Sequence, residues 1–88
     1  MTLEEIRQEI DQVDDAIVAL LEQRMNLVGQ VVALKKLTGT EVLDSKREDV
    51  IFARVADKVE NKDYKETVVA TFSDILKRSR EFQNKNIS

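Results

Sequence analysis

The sequence predicts an all-α protein of three helices, long, short and medium, intertwined with a second copy as a homodimer. Three observations lead there. The 88 residues include no proline and two glycines, which leaves too little turn chemistry for a sandwich or barrel. Apolar residues recur at helical spacing along most of the chain. The first helical stretch is longer than a chain of this size can cover by itself.

That first helix is expected from Leu3 to about Leu37. Thr2 and Glu5 make a capping-box pattern, and no proline interrupts the run, whose one glycine is Gly29. Ile6, Ile10, Val13, Ile17, Leu20, Leu27, Val31 and Leu34 step by threes and fours, broken only where Arg24 stands. About 35 residues at about 1.5 Å each give a rod of about 50 Å, against a radius of gyration near 12 Å for a compact chain of this length. The stripe should therefore be buried by a second copy. Gly39, in Thr38-Gly39-Thr40, suits a left-handed helix end, and a short loop follows. Asp44 and Ser45 are the next cap candidates, Ser45 with Glu48 reading as a second capping box. The short helix then carries Val50, Ile51, Val55 and Val59 and ends near Asn61. Asp63 with Glu66 reads as a third box, opening a helix with Val68, Phe72, Ile75, Leu76 and Phe82 that reaches about Gln83 before a frayed NKNIS tail. No repeat, linker or low-complexity segment divides the chain, so residues 1–88 are expected to form a single domain.

Composition narrows the chemistry. With no Cys and no His there is no disulfide framework, no Cys/His metal site, no thiol nucleophile and no imidazole base. A net charge of -3 gives no electrostatic footprint for nucleic acid or for an anionic membrane surface. Acidic residues in MTLEEIRQEI stand where a signal peptide needs basic ones, and the apolar runs are short, so a cytoplasmic location is expected.

Several polar residues stand where the pattern wants apolar ones. Arg24 sits in the seam, and a buried guanidinium requires an anion: either an acidic side chain that fixes register or a ligand. Lys35 lies eleven residues on, within about 20° of the same azimuth, so both cations can face one groove, although Lys35 also suits a helix C-terminus. Arg7 is about 25 Å from Arg24 along the axis, too far to share its pocket in one chain. In an antiparallel pair of long helices it can approach the other copy's site. Arg47 stands in the first turn of the second helix, where the dipole disfavours cations, beside Asp44 and Glu48. Ser79 and Gln83, four apart, continue the face of Phe72 and Leu76.

Arg7 in LEEIRQEID, Arg24 in LLEQRMNLV, Lys35 in VALKK, Asp44, Arg47 and Glu48 in DSKRE, and Ser79 and Gln83 in RSREFQ together resemble the all-helical (AroQ-class) chorismate mutases. The resemblance spans nearly the whole chain. It implies an interlocked dimer that rearranges chorismate to prephenate, in aromatic amino acid biosynthesis, with no cofactor and no metal. The partner's Arg7 and Arg24 would hold the two carboxylates, assisted by Ser79. Lys35 and Gln83 would donate to the ether oxygen, Lys35 touching a carboxylate as well. Glu48 and the backbone near Asp44 would receive the ring hydroxyl, and Arg47 would complete the positive field. A stand-alone, monofunctional enzyme is expected. The alternatives are an isochorismate-pyruvate lyase on the same fold, disfavoured because no lysine lies between Leu37 and Asp44, and a non-catalytic helical dimerisation or regulatory module.

Overall fold

The computed structural model describes residues 1–87, in the order α1 (Leu3–Thr38), α2 (Ser45–Lys58), a short 3-10 turn (Lys62–Tyr64) and α3 (Lys65–Ile87). α1 starts as the sequence dictates: the Thr2 hydroxyl accepts from the Glu5 amide at 3.1 Å while the Thr2 amide donates to the Glu5 carboxylate. It stops at Gly39, whose φ of 67° is the left-handed value a side chain would resist, and the Thr40 amide closes back on the Lys35 carbonyl. The 53 Å long dimension of the chain is the length of this one helix, and the radius of gyration is 16.0 Å instead of the 12 Å of a compact fold.

Four local readings are corrected. The cap of α2 is Asp44, not Ser45: its carboxylate accepts from the Arg47 amide at 3.0 Å, and Ser45 is already helical. α2 ends at Lys58, earlier than Asn61, and Asn61 instead caps the 3-10 turn through the Asp63 amide. That turn runs straight into α3 at Lys65, so Asp63 is not the cap of α3. α3 continues past Gln83 to Ile87, taking in most of the segment expected to fray; Ser88 lies outside the described residues.

Packing is thin and lies at one end. Ile51 and Val55 of α2 and Leu76 of α3 form the core, with Phe52, Val68, Val69 and Phe72 packed around them. α1 packs on α3 and has no comparable contact with α2. The α1 residues that α3 buries are Val28 and Val32, not members of the expected stripe. Each follows a stripe residue, Leu27 or Val31, by one position, which places it about 100° further around the helix. α3 therefore takes the neighbouring face and leaves the stripe itself bare. Ile6, Ile10, Val13, Ile17, Leu20 and Leu21 are all exposed, as are Val50 of α2 and Phe82 of α3, both expected on buried faces.

By length and composition α1 also passes as a membrane span, with a window of mean hydropathy 1.3. Glu22, Gln23, Arg24 and Asn26 interrupt it at mid-length, where charge in a bilayer is most costly.

Candidate active site

Between the C-terminal half of α1, the start of α2 and the end of α3 lies a cavity of about 350 Å³. Leu27, Val28, Val31, Ile51 and Leu76 supply its apolar walls. Arg24, Lys35, Asp44, Arg47, Glu48, Ser79 and Gln83 all face it, so seven of the eight residues singled out from sequence converge on one space. The eighth, Arg7, does not line it: it is exposed on the bare half of α1.

α1 contributes the cations. Arg24 and Lys35 stand three turns apart on one azimuth, as their eleven-residue spacing requires. The Nη1 atom of Arg24 is buried with no hydrogen-bond partner. Burial, reinforced by the nearby charges of Arg47 and Arg54, lowers the pKa of Arg24 below its ordinary value. Among the described residues no acidic side chain pairs with Arg24 as a register-setting arginine would require, and the residue that carries this unpartnered atom lines the cavity.

The loop and α3 position the donors. Lys35 Nζ donates to the Val42 carbonyl at 2.9 Å and to Gln83 Oε1 at 3.1 Å, and Gln83 Nε2 donates to Ser79 Oγ at 3.3 Å. Ser79 and Gln83 are buried at 5% and 7% exposure, so this chain is shielded from competing water. An ammonium has three N–H donors and a primary amide two. Lys35 and Gln83 therefore each keep one N–H unspent while holding each other in place.

The start of α2 brings in the acids. One Asp44 oxygen is committed to the helix cap, and Arg47, next to the cap, contributes its side chain to the cavity lining. Glu48 is held by Arg80, whose Nη1 lies 2.6 Å from both carboxylate oxygens. Sequence reasoning missed Arg80. A signal was present: positions 76, 79, 80 and 83 form one face of α3, and Arg80 is a charge on it.

Comparison with known proteins shows the family. The family described as chorismate mutase type II matches residues 6–84, and the chain belongs to that family. Its activity is accordingly that of an isomerase, chorismate mutase. A chorismate mutase of Methanocaldococcus jannaschii is 28% identical over 93 aligned residues, covering 96% of this chain and 94% of that protein. No solved structure matches the chain.

Proposed function

We propose that the cavity converts chorismate to prephenate by holding the substrate dianion in a reactive, chair-like shape and stabilising negative charge on its ether oxygen as the C–O bond breaks and the new C–C bond forms. Atoms and protons balance within the one molecule, so the protein's task is positioning and electrostatics. The observation that carries this reading is the Lys35–Gln83 pair. Two donors, bonded to each other in a cavity with apolar walls, each retain one free N–H, so both can converge on one acceptor atom without breaking a bond they already make. A further contact from Lys35 to a carboxylate displaces its bond to the Val42 carbonyl.

Arg24 binds one carboxylate, its unpartnered Nη1 gaining the acceptor it lacks, with Ser79 alongside. Glu48 and the backbone at Asp44 take the ring hydroxyl, and Arg47 adds to the positive field. The second carboxylate needs another cation, and we assign it to Arg7 of a second copy. Support comes from the bare stripe of α1, on which Arg7 stands: a helix of 36 residues with only Val28 and Val32 buried exposes far more apolar surface than a lone chain of this size usually does. The working form is thus a homodimer with composite sites.

Incubating the protein with chorismate and, separately, with isochorismate, and separating the products by chromatography, tests the reading. Prephenate from chorismate supports it. Pyruvate released from isochorismate as the faster reaction would make the site a lyase, and no turnover of either by a folded dimer would make it a non-catalytic module.

A further inference from the structure

The Glu48–Arg80 pair differs from the other ion pair of the described residues. Arg78–Glu81 is an exposed i,i+3 contact within α3, of the kind that contributes little. Arg80 reaches 32 positions back in sequence, from α3 to α2, and both members line the cavity; the side chains are 30% and 18% exposed. A half-buried ion pair on a helix face is seldom the most stable choice, since an apolar pair of similar volume holds two helices at least as well.

The surroundings give the pair a task. Glu48 shares its cavity with Arg24, Lys35 and Arg47, any of which is a natural partner for a carboxylate. A carboxylate free to turn toward them would leave the position from which it can accept a ring hydroxyl. Instead both Glu48 oxygens are engaged by a single nitrogen of Arg80, and Nη1 of Arg24 stays unpaired. Each carboxylate oxygen carries two lone-pair sites, so each keeps one for a hydroxyl donor.

We propose that Arg80 is a positioning residue: it fixes the Glu48 carboxylate as the acceptor for the substrate's ring hydroxyl. The proposal rests on the chorismate reading above, and concerns a residue to which that reading gives no role.

The test uses the full chain and two ligands, chorismate and an analogue with hydrogen in place of the ring hydroxyl, read as KM, or as an inhibition constant against chorismate if the analogue does not turn over. Arg80→Leu should raise KM for chorismate roughly tenfold, inside the range of coupling within an ion-pair network, and shift the analogue by less than about twofold. Arg80→Lys should recover most of the loss. In a Glu48→Gln background, Arg80→Leu should cost nothing further. If Arg80→Leu does not fold, Arg80→Gln gives the same two-ligand ratio. Equal losses on both ligands, or an undiminished loss in the Glu48→Gln background, would reduce Arg80 to a brace between α2 and α3 and overturn the proposal. A wild-type protein that leaves chorismate unchanged would instead overturn the chorismate reading itself; activity with an unmoved ratio overturns only the role of Arg80.

Discussion

The two halves of α1 are one continuous helix with the same apolar periodicity, yet they differ in what covers them. From Leu3 to Gln23 every residue is exposed, whereas from Arg24 onward α3 buries Val28 and Val32 and half-covers Arg24, Met25 and Lys35. In the covered half a guanidinium and an ammonium are partly withdrawn from water, which makes them stronger donors than they would be on a bare surface. The bare half carries one functional candidate, Arg7, and an apolar stripe with nothing of its own chain to meet it. One half gathers cations around a cavity, and the other is an apolar face that the described residues leave uncovered.

The largest effect should come from the covered half. On the proposed mechanism Lys35→Ala removes a preorganised donor to the developing oxyanion and should lower kcat about 100- to 1,000-fold while circular dichroism stays helical; near-normal turnover by the purified variant would dissolve the contrast.

Arg7→Ala acts on the bare half and should cost about 50-fold in kcat/KM, the order expected when one partner of a desolvated charge pair is lost. Mixing it with Lys35→Ala sharpens the comparison. If Arg7 serves the other copy's site, subunit exchange rebuilds one intact site per mixed dimer, and activity should return to about a quarter of wild type. Mixtures as inactive as their components would confine Arg7 to its own surface.

Gln83→Glu should make catalysis acid-dependent. Only the protonated carboxyl can donate to the ether oxygen, so once the group ionises the rate should fall about tenfold per pH unit, a slope wild type should lack. A flat profile between pH 5 and 8 would count against donation by residue 83.

The smallest effect is one of stability. The folded-state pKa of Arg24 lies below its ordinary value, so its charge is held less well in the empty fold than in the unfolded chain. At neutral pH that charge subtracts from stability, and the penalty fades only as pH climbs through the lowered pKa in the alkaline range. Arg24→Met should therefore raise the melting temperature by a few degrees while abolishing the further rise that a dianionic ligand gives wild type. An unchanged ligand-induced rise in the variant would remove Arg24 from the binding site.

Much of this was legible in the chain because it is local. Thr2 with Glu5 and Gly39 bounded α1 to within a residue, since caps are satisfied by neighbours a few positions away. The eleven-residue step from Arg24 to Lys35 set their shared azimuth by helix geometry alone. Seven of the residues that line the cavity were singled out through a family resemblance, each weak by itself. What went astray locally did so through competition between adjacent caps: Asp44 displaced Ser45, and Asn61 opened a 3-10 turn ahead of α3.

The amino-acid sequence by itself determined that the chain is helical, where its longest helix begins and ends, and which cations share a face. Tertiary structure alone decided which face of α1 meets α3, that Lys35 would reach Gln83 across 48 positions, and that Arg80 would hold Glu48 across 32. The reason is physical. Caps and periodicity are fixed by interactions within a turn or two, whereas the meeting of side chains on different helices depends on how each helix is rotated about its axis, which only packing selects.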